Sequence, residues 1–167
     1  MIQLTVMKIT GYGPWTLTLG SDREHELQML QASLYQKLQK LFSEKNGLVF
    51  QNRSDEFFAV TNGITLDEHI DIQKELGKLF EINVSMTIGY GATPFDANIS
   101  AYNGKKDQKF LNEQYNIYGS LNGNEEQNVA IMHIDVDSLT AKRKTLSPYE
   151  TSSLMFKLYA KMSEFFL

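Results

Sequence analysis

The order in which two apolar periodicities alternate along the first half of the chain constrains its fold more than any other feature. Met1 to Thr10 is rich in β-branched and apolar residues and reads as a strand. Ser21, with Glu24 three residues on, is a capping-box signature, and Leu27, Leu30, Leu34, Leu38, Leu41 and Phe42 then recur at helical spacing until Asn46-Gly47. Two short strand-like runs, Leu48 to Gln51 and Phe57 to Thr61, flank a polar Asn52-Arg53-Ser54-Asp55-Glu56 and read as a hairpin. Thr65 with Glu68 repeats the capping box for a helix with Leu66, Ile70, Leu76 and Phe80 as its apolar face, and Ile82 to Ile88 is again a strand. A β-α-β-β-α-β order places helices on one face of an antiparallel sheet, an α+β fold of the ferredoxin-like type.

Beyond this unit, Thr93-Pro94 with Asp96 marks a third helix start, which Asn103-Gly104-Lys105-Lys106 is expected to interrupt. Gly119 to Asn128 is polar enough for an exposed linker. A second unit then echoes the first. Val6-Met7-Lys8-Ile9-Thr10 lines up with Ile131-Met132-His133-Ile134-Asp135, and Leu34-Tyr35-Gln36-Lys37-Leu38 with Leu158-Tyr159-Ala160-Lys161-Met162. Ser147-Pro148-Tyr149-Glu150 caps the helix of that second copy. The expected organisation is a first domain over 1–118, a linker over 119–128, and an incomplete second copy, one strand and one helix, over 129–167. A strand and helix without sheet partners leave backbone groups unpaired, so a homo-oligomer or swapped dimer is expected to cover them.

Composition narrows the function. A net charge of -4 argues against nucleic acid and against anionic membrane as partners, because both need clustered Lys and Arg. No apolar run approaches the roughly 18 residues of a membrane span. With no cysteine there is no disulfide, thiolate nucleophile or cysteine-ligated zinc, and a cytoplasmic location is the expectation.

The sharpest candidate for chemistry is Asp135 with Asp137, which share one face of a strand and can reach one hard cation such as Mg²⁺. The alternative is two solvated carboxylates at a strand end. Asp55, in the hairpin turn, is the second candidate metal ligand, since the first strand and the hairpin are neighbours in a β-α-β-β sheet. The first strand ends in Thr10 where the repeat has Asp135, and a threonine hydroxyl is a weak Mg²⁺ ligand. Tyr12-Gly13-Pro14-Trp15 follows that strand: its turned amides suit phosphate oxygens and Tyr12 or Trp15 suits a stacked base, unless the rings merely cover the core edge. Gln28 and Gln31, three apart on the first helix, carry amides able to read a base edge. Gly89-Tyr90-Gly91-Ala92-Thr93-Pro94 is no dinucleotide fingerprint, because Pro replaces the third glycine. His25, His69 and His133 form no metal-ligand pair at helical spacing.

Taken in order, Met1-Ile2-Gln3, Tyr12-Gly13-Pro14-Trp15-Thr16, Leu27-Gln28 through Leu34-Tyr35, Thr61-Asn62-Gly63-Ile64, Ser85-Met86 with Ile88-Gly89, Thr93-Pro94 and His133-Ile134-Asp135 resemble the archaeal GTP cyclohydrolase III family. The resemblance runs from residue 1 to about 138 and more weakly along the last helix. It implies two fused ferredoxin-like, palm-type domains and an enzyme that opens the imidazole ring of GTP and releases pyrophosphate, giving a formylaminopyrimidine ribonucleotide monophosphate. It also implies Mg²⁺ as cofactor, with a monovalent cation such as K⁺ assisting. Asp55 and Asp135 match acidic positions of the family motifs, while Asp137 is a local addition. The pattern departs where the family has Asp then Asn and this chain has Thr10 and Gly11, and again at Glu56, where the family has Asn. A catalytically silent purine-nucleotide-binding or pairing module, and a palm-type nucleotidyl cyclase relative, are the competing readings.

Overall fold

The computed structural model describes residues 1–20, 23–123, 129–131, 141 and 144–166. Its elements run β1 (Ile2–Ile9), α1 (Tyr12–Thr16), α2 (Arg23–Ser43), β2 (Leu48–Arg53), β3 (Glu56–Val60), α3 (Leu66–Leu79), β4 (Val84–Gly91), α4 (Pro94–Lys106), β5 (Phe110–Asn112), β6 (Ile117–Gly119) and α5 (Pro148–Phe166). The chain divides into two compact units, residues 1–129 and 130–167.

In the first unit the sheet order is β2-β3-β1-β4-β6-β5. The four strands β2, β3, β1 and β4 are all antiparallel and form the ferredoxin-like sheet, with β1 central between β3 and β4. Two further strands escape the sequence pattern: β6 adds parallel to β4, and β5 pairs antiparallel to β6. Both are only three residues long, too short for an alternating pattern to register.

Alternation along the strands divides the sheet into two unlike faces. Met7 and Ile9 of β1, Phe57 and Ala59 of β3, and Met86 and Ile88 of β4 point to one face, where Leu34, Leu38, Leu41 and Phe42 of α2 and Ile72 and Leu76 of α3 meet them. Each such side chain, fully withdrawn from water, contributes about 1.5–3 kcal/mol. On the other face lies α4, which approaches β4 and β6 through small residues: Ala97, Ala101 and Gly104 on the helix against Gly89, Gly91 and Gly119. A Cβ on Gly89 would collide with the backbone of Ala97 and Ala101, and one on Gly104 would come 2.6 Å from Gly119 Cα. Asn103-Gly104-Lys105-Lys106 therefore does not interrupt this helix; Gly104 continues it because any side chain there would strike the sheet.

Local signals account for the helix ends. Thr65 and Glu68 form the expected capping box on α3, and Thr93 and Asp96 a second one on α4, with Pro at the first turn. After α2, Asn46 adopts φ 61° and Gly47 N–H closes back on Phe42 O at 2.8 Å. The face expected of α3 does pack on the core, with Leu76 buried and Leu66, Ile70 and the C-cap Phe80 half-buried against it, and the structure adds His69, Ile72 and Gln73 as buried members. Polar residues sit there because each is satisfied, Gln73 Nε2 by Val84 O at 2.7 Å and Tyr115 O at 2.9 Å.

In the second unit, α5 opens on a capping box, Glu150 N–H donating to Ser147 Oγ while the Glu150 carboxylate accepts from Ser147 N–H at 2.8 Å. All but the first residue of the strand expected at 131–135 lie outside the described residues. No helix among the described residues is long and apolar enough to cross a membrane.

Candidate functional site

The site is assembled at the C-terminal end of β1. Antiparallel pairing sets Lys8 opposite Glu56 of β3 and Ser85 of β4, so the next residues of β1 reach the hairpin turn. Ile9 N–H donates to Asp55 O at 2.9 Å, and Thr10 N–H donates to Asn83 O at 2.7 Å. Asp55 is thus brought to the strand end, as the neighbouring-strand argument requires, and Thr10 is exposed at the same corner.

The corner also gathers charges that the sequence reading overlooks. Asp55 lies between Lys8 Nζ and Arg53 Nε, each 3.9 Å from one of its carboxylate oxygens. Arg53 also pairs with Glu56 at 2.9 Å, and Asn52 Nδ2 donates to the other Glu56 oxygen at 2.8 Å. A register shift between Gln51 and Arg53 lets these alternate hairpin residues converge. The signal available in the sequence is the packing of Asn52, Arg53, Asp55 and Glu56 into one turn beside Lys8, two residues before the strand end.

Magnesium takes oxygen ligands, commonly one or two carboxylates together with substrate phosphates. Here both carboxylates are engaged by cations, and Lys8, Arg53, Asp55 and Glu56 sum to zero charge. Among the described residues no three His, Asp or Glu side chains cluster as a metal site. A divalent ion at Asp55 would face two fixed positive charges a few ångströms away, so the described residues do not fit a resident Mg²⁺. Asp135 and Asp137 lie outside the described residues.

Immediately after Thr10, the Tyr12-Gly13-Pro14-Trp15 segment is the short helix α1 rather than a loop. Its Trp15 N–H is engaged by Gly11 O at 3.0 Å, and Pro14 has none, which leaves few amides of the kind expected for phosphate. Tyr12 packs against the edge of the core, its ring 6.1 Å from Trp15 and tilted by 42°. Gln31 of α2 donates its amide to Tyr12 Oη at 2.7 Å, tying α1 to α2. Gln28 does not join it: its amide donates to Glu24 at 3.2 Å on the exposed side of the helix. Gly13 is exposed. Of the expected nucleotide-contacting residues, the structure brings together Tyr12, Trp15 and Gln31.

Farther along β1, a buried polar chain holds the sheet to α3. His69 Nδ1 lies 2.7 Å from Thr65 O, which only accepts, so Nδ1 carries the proton and Nε2 accepts from Thr5 Oγ1 at 2.8 Å. Thr5 Oγ1 then accepts from Thr61 Oγ1 at 3.0 Å, and Gln3 Nε2 donates to Thr61 O and Ile64 O at 2.7 and 3.0 Å. Burial, opposed by the Thr65 hydrogen bond, depresses the His69 pKa from 6.5 to about 4. This is a structural histidine.

Fold and corner define a class: a ferredoxin-like α+β domain with a polar site at the end of its central strand. The chain belongs to the GTP cyclohydrolase III family, whose model matches residues 1–167. It is 39% identical over 161 residues to the GTP cyclohydrolase III of Methanothermobacter thermautotrophicus, covering 93% of this chain and 64% of that one. It is 38% identical over 165 residues to that of Methanocaldococcus jannaschii, covering 90% of this chain and 58% of the relative. The chain thus spans about six-tenths of the length of these curated relatives. A solved diguanylate cyclase/phosphodiesterase from Caldicellulosiruptor saccharolyticus aligns with TM-score 0.48 and 12% identity over 64% of this chain and 70% of that one.

Proposed function

We propose that this chain binds GTP at the β1 corner and hydrolyses it, opening the imidazole ring and releasing pyrophosphate to leave a monophosphate. The observation that carries the reading is the family match along the whole chain. The geometry is consistent with it. Because Tyr12 and Trp15 tilt against one another, no parallel slot opens between them, and a purine stacks on the outer face of the pair. Gln31 spends its amide N–H on Tyr12, which leaves its carbonyl oxygen to accept from a guanine N–H. Asp55, fixed through its own backbone by Ile9, stands on the same corner as a carboxylate able to orient a water.

Incubation of the protein with GTP tests this, one arm holding Mg²⁺ and K⁺ and a second holding EDTA, with the guanine absorbance and released phosphate or pyrophosphate followed together. The expected result is loss of the purine absorbance with formation of a ring-opened monophosphate. GTP that stays intact in both arms contradicts the enzyme reading. A second reading, a nucleotide-binding member without turnover, draws on Thr10, which puts a hydroxyl where the family pattern has a carboxylate. Intact GTP with binding seen by calorimetry selects that reading, and Thr10→Asp restoring turnover would show what was lost.

A further inference from the structure

The β1 corner carries its positive charge on side chains. Lys8 and Arg53 flank Asp55, and both also line a groove of about 730 Å³ that runs across the open face of the sheet beneath α4. That volume lies within the range of small-ligand sites. Lys105 of α4 is the third cation on the groove and Glu56 its carboxylate, so the lining has a surplus of positive charge although the protein as a whole is acidic. Ser85, Thr87 and Asn98 add neutral hydrogen-bonding groups to its floor and wall.

We infer that Lys8 and Arg53 form a phosphate subsite that takes the polyphosphate of the nucleotide directly, without a divalent cation. Four facts converge on it. Thr10 places an uncharged hydroxyl at the strand end, where the internal repeat has Asp135. The two carboxylates of the corner among the described residues, Asp55 and Glu56, are paired with these same cations. Lys8 and Arg53 are both about half exposed, at 50% and 57% of their side chains, and at 3.9 Å from Asp55 each keeps N–H donors for an incoming anion. The groove gives that anion room on the side from which they reach it. Arg offers a planar fork for two phosphate oxygens and Lys a point charge, and with Lys105 they give the groove the positive surplus that draws an anion.

The inference rests on the reading of a nucleoside triphosphate as ligand, and the experiment separates the two. GTP and inorganic tripolyphosphate are titrated by calorimetry into the protein in EDTA and again in Mg²⁺, alongside Lys8→Gln, Arg53→Gln and Lys8→Arg. The expected result is binding of both in EDTA, weakened tenfold or more by Lys8→Gln and by Arg53→Gln, and retained by Lys8→Arg. Tripolyphosphate binding in EDTA that depends on the two cations, with GTP no tighter, supports the subsite while overturning the guanine reading. GTP that binds only with Mg²⁺ overturns the subsite and leaves the guanine reading standing. Binding in EDTA that neither Gln variant weakens, or no binding under any condition, also overturns the subsite.

Discussion

The two faces of the sheet solve the same packing problem with opposite materials. Toward α2 and α3, space is filled by Leu34, Leu38, Phe42, Phe57 and Met86, all withdrawn from water, and stability comes from the apolar area removed. Toward α4, space is abolished: Gly89, Gly91, Gly104 and Gly119 let helix and strands approach until there is no room for a methyl group. The first face tolerates loss of atoms badly and the second tolerates their addition badly. The groove with its cations lies on that side too, between α4 and the strands β1, β3 and β4.

The sharpest way to break this contrast is to add atoms on the glycine face. Gly119 has φ 102°, and any Cβ there would run into the Ile88 carbonyl. Gly119→Val is expected to cost more than about 4 kcal/mol, seen as loss of the cooperative urea transition. Removing atoms from the other face comes next: Leu38→Ala is expected to cost about 2–5 kcal/mol with the fold retained. If Gly119→Val proved the milder of the two, the tight seat of Gly119 against β4 would not be what limits that face.

A third test uses pH. His69 folded has a pKa of about 4 against 6.5 unfolded, so above 6.5 it is neutral in both states and its contribution is intact. Between 6.5 and 4 the unfolded chain takes up the proton first, and stability falls by about 3 kcal/mol across that window. Glu68 and Lys45 act on it with opposite signs and are the charged groups whose fields it feels. Denaturation at pH 7 and pH 4.5 should show the fall, and His69→Gln should shrink it. The smallest expected effect is that of a single cap: Thr65→Ala removes the acceptor for Glu68 N–H and should cost about 1 kcal/mol by the same measurement.

Local signals were legible in the sequence and non-local ones were not. The Leu27-to-Phe42 stripe, the Thr65–Glu68 and Thr93–Asp96 boxes and the hairpin all depend on residues within a few positions of one another, and all are present. Gly104 reads as a breaker because helix propensity disfavours glycine, yet tertiary contact with Gly119 demands it. The apolar members of the α3 face are legible, but His69 and Gln73 are not, because they count as polar until their partners on β1, β4 and the chain before β6 are known. In the candidate site, what strand order made legible is the place of Asp55 at the end of β1. Lys8 and Arg53 are not legible, since their convergence on Asp55 depends on register and on the irregularity in β2.

Everything proposed for this chain depends on the nucleotide meeting it at the end of β1, and amide chemical shifts followed during a GTP titration locate that meeting point. Shifts are predicted to concentrate on Thr10 to Thr16, Gln31 and Arg53 to Glu56, with Gly63 and Thr65 at the opposite end of the sheet unmoved. Shifts centred on that opposite end, or none at saturating GTP, would place the nucleotide elsewhere and overturn the assignment of the β1 corner.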